Sequence, residues 1–223
     1  MKKWTTLEQV ETPDGSTLSL AAHDTAHVLR VNGRELMSTR HSFSEEQLGV
    51  VACQPLSTKK SACVLIGGLG LGVTLRAALA TLAEDATVVV AELLPAVVAW
   101  NQNPAYPLAR AELADPRTEV MIGDVARVIE HSAARFDAIL LDADNETTVM
   151  NTAGNSWLYQ SAGLSAVRRA LKRGGSVVYW SAGEDPSFLK RFAANGFAVE
   201  SQRVRRHPSL KSSHFLFVGR KSD

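Results

Sequence analysis

Two cysteines, Cys53 and Cys63, are all that this 223-residue chain contains. Neither has a CxxC partner or a histidine cluster at metal-ligand spacing, which excludes a disulfide scaffold and leaves no metal site to expect. Both are read as reduced thiols, Cys63 buried in a strand. Long apolar runs are missing too, and the opening Met1-Lys2-Lys3-Trp4-Thr5 lacks the apolar stretch of a secretory signal. A cytoplasmic location without membrane association is therefore expected. Charge of one sign is also lacking. Lysine and arginine number 24 against 23 acidic residues, so no global basic field steers the chain onto nucleic acid. The local stretch Arg203-Val204-Arg205-Arg206-His207 alternates like a strand with outward arginines, a common guard of sheet edges, and no nucleic-acid partner is expected on this reading. Repeats and low-complexity tracts are absent.

What is present suits one soluble core with a small appendage: the chain is 45% hydrophobic and 21% charged. From Thr17 to Arg40 the apolar pattern alternates around Asn32-Gly33, a strong hairpin signal, so residues 1–44 are read as a small N-terminal β-hairpin appendage. Ser44-Glu45-Glu46-Gln47 opens a helix with Ser44 as cap. Residues 45–223 then form a Rossmann-like domain. Its strands run Ala62–Ile66, Thr87–Ala91, Thr118–Ile122, Phe136–Leu141 and Ser176–Trp180, with amphipathic helices between them. One helix carries the stripe Leu71, Leu75, Leu79 and Leu82. Another starts at Pro95, and a third runs from Tyr159 to Lys172 and stops at Gly174-Gly175. Phe197–Arg205 and His214–Arg220 are joined only by a loop around Pro208, which predicts a terminal antiparallel hairpin. The fold class is α/β: a doubly wound, mostly parallel seven-stranded sheet with an antiparallel last strand.

In such a sheet ligands bind beyond the carboxyl ends of the strands, and four successive strands end in groups suited to a nucleoside. The first ends in Gly67-Gly68-Leu69-Gly70-Leu71-Gly72 and runs into a helix, where Gly67, Gly68, Gly70 and Gly72 would let backbone N–H groups approach a ligand; the alternative is a tight turn without one. The second ends at Glu92-Leu93, with Glu92 placed to accept ribose hydroxyls or else to cap the Pro95 helix. The third ends at Gly123-Asp124-Val125, where Asp124 either receives an adenine amine, with Val125 against the ring, or caps the next helix. The fourth ends in Asp142-Ala143-Asp144-Asn145-Glu146, an acidic cluster that a cationic ligand would balance. A dinucleotide is disfavoured because Val73 occupies the sixth position of GxGxxG, where close helix packing calls for Gly or Ala.

In order and spacing, Val64-Leu65-Ile66-Gly67-Gly68-Leu69-Gly70-Leu71-Gly72, Ala91-Glu92-Leu93-Leu94-Pro95, Asp115-Pro116-Arg117, Gly123-Asp124 and Phe136-Asp137-Ala138-Ile139-Leu140-Leu141-Asp142 resemble the spermidine synthase (aminopropyltransferase) family, of the class I S-adenosylmethionine methyltransferase fold. The resemblance implies a homodimer that binds decarboxylated S-adenosylmethionine or S-adenosylmethionine, needs no metal, transfers an aminopropyl group to a small-molecule amine and leaves methylthioadenosine. It implies Glu92 on the ribose, Asp124 at the adenine, and Asp142 as the catalytic carboxylate that orients the amine and takes its proton; Asp144 or Glu146 is expected to stand in for the family's acids that this chain lacks. It also exposes departures. Leu71 and Asn145 stand where the family has acids, Phe43-Ser44-Glu45-Glu46 stands for its Tyr-His-Glu segment, and Tyr179-Trp180-Ser181 replaces a favoured glutamine. The alternatives are methyl transfer to an unknown acceptor, with Trp157, Tyr159 and Trp180 as an aromatic wall, or a catalytically silent nucleoside-binding protein.

Overall fold

The structure, a computed structural model, describes residues 4–142, 153–207 and 212–222. Strands β1 (Thr5–Glu11), β2 (Thr17–His23), β3 (Ala26–Val31) and β4 (Arg34–Ser38) pair in chain order into an antiparallel sheet. At the Asn32-Gly33 turn both residues have positive φ, 48° and 78°, as a two-residue hairpin of matched twist requires. Strand β1 goes beyond the single hairpin that the alternation predicts. Its signal is Thr12-Pro13-Asp14-Gly15, where Gly15 N–H donates to the Thr12 carbonyl at 2.9 Å and Ser16 N–H to Asp14 at 3.2 Å.

Helix α1 (Phe43–Cys53) follows. Ser44 is not its cap: the cap position is Ser42, and Ser44 lies in the first turn with its hydroxyl donated to the Glu45 carboxylate at 2.6 Å. A cap stands just before the first helical residue, and Ser44, the second residue of α1, lies past that position.

Alternation then begins: β5 (Cys63–Gly67), α2 (Val73–Thr81), β6 (Thr87–Glu92), α3 (Pro95–Gln102), α4 (Arg110–Leu113), β7 (Thr118–Ile122), α5 (Val125–Glu130) and β8 (Phe136–Leu141). After them come α6 (Ala153–Leu158), α7 (Ser161–Ala170), β9 (Leu171–Ser181), α8 (Pro186–Ala194), β10 (Phe197–Arg205) and β11 (Ser213–Lys221). The second sheet has seven strands in the order β10-β11-β9-β8-β5-β6-β7. Strands β5 to β9 pair in parallel and β11 is antiparallel to both neighbours, so the doubly wound sheet with an antiparallel last strand is present. From β5 the chain lays down β6 and β7 on one side and returns with β8 on the other, placing the reversal of strand order at β5. Strand β10 is an edge strand, where Arg203 and Arg205 are exposed.

Two further expectations are corrected. The third helix does not reach Lys172: α7 ends at Ala170, and Leu171, fully buried, pairs with Phe136 as the first residue of β9. The register then jumps, Ser176 lying opposite Ala138, and Gly174 at φ 70° sits in the irregularity. Cys63 is only half-buried, lying at the amino end of its strand. Cys53 in α1 is the fully buried thiol, and burial pushes it up to about 12.

Alternate residues of the central strands feed two cores. Val64, Ile66, Val88, Val90, Ala138 and Leu140 pack with α1, α2, α3 and the first sheet, and the stripe Leu71, Leu75, Leu79, Leu82 is buried there. Leu65, Val89, Phe136, Ile139 and Leu141 pack on the opposite face with α5, α7 and α8. A strand buried on both faces reads as continuously apolar, and each such side chain contributes about 1.5–3 kcal/mol of transfer free energy. The first sheet thus lies over one face of the second, across the end where the glycine loop emerges.

Candidate functional site

A cavity of about 340 Å³ opens between the carboxyl ends of β5, β6 and β8 and the first sheet. Its floor is the glycine loop. Gly68, Gly70 and Gly72 hold φ of 89°, 53° and 74°, a left-handed conformation that side chains with a Cβ rarely adopt. A Cβ on Gly70 would strike the thioether of Met37, which reaches down from β4, whereas one on Gly68 would meet nothing. The loop is fastened from behind by Asn101 of α3, whose Nδ2 donates to the Gly70 carbonyl at 2.8 Å and whose Oδ1 accepts from Ala109 N–H at 3.3 Å. Sequence reasoning did not single out Asn101, since a lone asparagine inside a helix carries no signal of what it faces.

Glu92 ends β6 and is 6% exposed. Its two oxygens accept from Leu69 N–H at 2.8 Å and Leu94 N–H at 2.9 Å, so the carboxylate joins the glycine loop to the start of α3. The cap position of α3 is Leu94, so Glu92 braces the helix entrance from two residues before it, and its carboxylate lines the cavity. Burial pushes its pKa above the ordinary value of 4.5, and the N–H groups of Leu69 and Leu94 offset only part of that. Each carboxylate oxygen has capacity for a further donor.

Of the two readings of Asp124, the structure shows the helix cap and leaves the carboxylate on the cavity wall. It caps α5, accepting from Ala126 N–H at 2.8 Å, and lines the cavity next to Val125. Val125 and Leu141 press against Gly67, where a Cβ would come within 2.8 Å of Leu141. Leu93 and Asp142 complete this wall, Asp142 half-buried at the end of β8. Gly67, Gly68, Gly70, Glu92, Leu93, Asp124, Val125 and Asp142 thus meet around one space, while Gly72 lies behind it, under the Ala109 methyl. Asp144, Asn145 and Glu146 lie outside the described residues. Leu71 is 2% exposed and belongs to the core rather than to the cavity wall.

The other wall was largely missed from sequence. It comprises His41, Glu45 of α1, Trp180 of β9, His214 of β11 and Arg206, just past β10. These come from segments remote in sequence, and only the packing of α1 on the sheet joins them. Of the three aromatics considered as a wall, Trp180 alone lines the cavity. Tyr159 is buried with its ring 5.1 Å from those of Tyr179 and Phe188, and Trp157 packs against that same core. Among the described residues no group of three His, Cys, Asp or Glu side chains could hold a metal, and no helix is long and apolar enough to cross a membrane.

No protein-family profile matches the chain. Polyamine aminopropyltransferases of Thermoanaerobacter sp. strain X514 and Thermoanaerobacter pseudethanolicus are each 30% identical to it over 174 residues, 78% of this chain. The chain spans 60% of the length of these curated relatives. In fold it is similar to the spermidine synthase of Thermotoga maritima, with TM-score 0.73 and 20% identity over 97% of this chain and 73% of that one. A spermidine synthase in complex with the transition state analogue AdoDATO gives TM-score 0.72 and 19% identity, covering 97% and 72%. The chain is thus spermidine-synthase-like: similar in sequence to polyamine aminopropyltransferases and built on the class I methyltransferase-type fold of the spermidine synthases.

Proposed function

We propose that this chain is a transferase that binds S-adenosylmethionine or its decarboxylated form in the cavity and moves an aminopropyl group onto a small amine. The observation that carries this reading is Glu92, a nearly fully buried carboxylate held on the open glycine loop by backbone N–H groups, with oxygen capacity left for the paired hydroxyls of a ribose. The open space over Gly68 fits the same nucleoside. When bound, the sulfonium supplies an electrophilic carbon and a neutral thioether leaving group.

The chain's own residues then divide the work. Glu92 receives the ribose hydroxyls. Asp124, one oxygen engaged as helix cap, offers the other to an adenine amine, with Leu93 and Val125 packing on the ring. Asp142 holds the acceptor amine in line and takes its proton, and Asp144, two residues on, assists. A carboxylate is a weak base, so positioning outweighs proton affinity.

The test is thermal shift with methylthioadenosine, S-adenosylmethionine and its decarboxylated form, followed by release of methylthioadenosine when an amine acceptor is added. Stabilisation by an adenosyl ligand and acceptor-dependent release are expected. Absence of any shift at millimolar ligand refutes the reading. Transfer of a labelled methyl group to the acceptor would instead establish methyl transfer.

A further inference from the structure

Glycines that allow a loop to turn also allow it to turn in other ways. Gly68, Gly70 and Gly72 all hold positive φ and carry no side chain to wedge them in place, so the direction of each peptide group depends on what it bonds to. Gly68 N–H donates to the Ala91 carbonyl at 2.9 Å, Leu69 N–H to Glu92 at 2.8 Å and Gly72 N–H to the Leu69 carbonyl at 2.8 Å. The Gly70 carbonyl is held by Asn101, a side chain 1% exposed and outside the cavity lining. Glu92 and Asn101 thus bracket the Leu69–Gly70 peptide, one gripping the N–H before it and the other the carbonyl after it.

The Asn101 amide has one workable orientation. Its Nδ2 donates to the Gly70 carbonyl at 2.8 Å and to the Val97 carbonyl at 2.9 Å, while its Oδ1 accepts from Ala109 N–H at 3.3 Å. Turned over, it would set its oxygen against two carbonyls and its amine against an N–H. The donor half therefore acts on the glycine loop and the acceptor half on the start of α4. Because Asn101 stands behind the loop, its bond draws the Gly70 carbonyl away from the cavity, while Met37 closes on Gly70 from the roof. We infer that Asn101 is a positioning residue for the nucleoside: it never touches the ligand, but selects the loop conformation in which the space over Gly68 is open and Leu69 N–H is on Glu92. This rests on the adenosyl-binding reading above. Without that donor, Gly70 can rotate at little cost and only a fraction of molecules keeps the competent loop. Apparent affinity then falls in proportion to that fraction, and turnover of the bound complex does not. A residue that merely stitched α3 to α4 would change stability and leave affinity alone.

The experiment uses the full chain and compares Asn101→Ala and Asn101→Asp with Asp137→Ala, a control that loosens the sheet at its opposite end. Asn101→Ala should weaken methylthioadenosine at least about fivefold in calorimetry and raise KM for decarboxylated S-adenosylmethionine by a similar factor. Its kcat should stay within about twofold. Asp137→Ala should lower the melting temperature yet change that affinity by less than about twofold. Amide hydrogen exchange at Gly68, Leu69 and Gly72 should quicken in Asn101→Ala while the amides of β5 keep their rates. Asn101→Asp keeps the size and the acceptor for Ala109, and its carboxyl can donate to Gly70 only when protonated. Its deficit in affinity relative to the unaltered protein should therefore shrink as pH falls. Should Asn101→Ala fail to fold, this near-isosteric variant carries the comparison. Unchanged affinity in Asn101→Ala, a lowered kcat with unchanged KM, or an Asn101→Asp deficit that does not shrink in acid overturns the inference. Failure of the unaltered protein to bind methylthioadenosine is a separate result that refutes the underlying function. Loop exchange needs no ligand and still decides whether Asn101 holds the glycine loop.

Discussion

Glu92 and Asp137 are both buried carboxylates of the same parallel sheet, one at the carboxyl end of β6 and one near the amino end of β8, and their environments drive them in opposite directions. Burial pushes each toward its neutral form. At Asp137 the ammonium groups of Lys172 and Lys59, both 2.7 Å away, and the Cys63 N–H at 2.8 Å overcome that push and hold the carboxyl below its ordinary value of 3.8. Glu92 has only backbone dipoles for company and stays raised. A carboxylate neutralised by two paired ammonium groups is a structural fastening, here joining β5, β8 and β9. One that burial has shifted and that borders a cavity has capacity left for a ligand.

That contrast can be broken at several points. The largest effect belongs to chemistry alone: Asp142→Asn should lower the rate of transfer by about 10²–10³-fold while leaving melting temperature and methylthioadenosine affinity unchanged, as single-turnover kinetics and thermal shift would show. Asp137→Ala should do the reverse, removing about 2–3 kcal/mol of stability in urea titration because it orphans the Cys63 N–H and leaves two lysines without a counterion. Its effect on adenosyl binding should be small. Glu92→Gln should weaken methylthioadenosine by about 10–100-fold in calorimetry, the loss of charge-assisted hydrogen bonds to the ribose, with a modest change in stability.

The smallest effect is a pH dependence, and its sign separates the two acids. Asp137, with its folded pKa lowered, contributes stability that is present above 3.8 and lost as pH falls through its folded value. For Glu92 the folded pKa is raised, so ionising it costs the free protein stability as pH climbs from 4.5 through the folded value. Ribose hydroxyls that favour the ionised form should then make methylthioadenosine affinity rise with pH across that window, with proton release. Calorimetry in buffers of different ionisation enthalpy measures this, and Glu92→Gln should flatten it.

The strand-end wall was legible because its information is local. Each of Gly67-Gly68-Leu69-Gly70, Glu92, Asp124 and Asp142 follows directly on an apolar run, and a parallel sheet carries all such ends to one edge. The opposite wall was not legible. Ser44 reads as a helix cap until His214, 170 positions away, is placed beside it. Leu71, which reads as a lost contact inside the loop, turns out to face the core, because the left-handed turns on either side of it direct its side chain inward. The helix expected to run to Lys172 stops two residues sooner because Leu171 is buried against Phe136, a contact no local propensity encodes.

By itself, then, the sequence determined the doubly wound sheet, its antiparallel last strand and the ligand-suited groups at the carboxyl ends of its strands, since periodicity and turn chemistry act over a few residues. Tertiary structure alone decided what faces those groups across the cavity. The roof from β4, the Glu45–Ser44–His214 chain and the placement of Arg206 depend on packing between segments far apart in the chain, and the make-up of the wall opposite the strand ends follows from that packing.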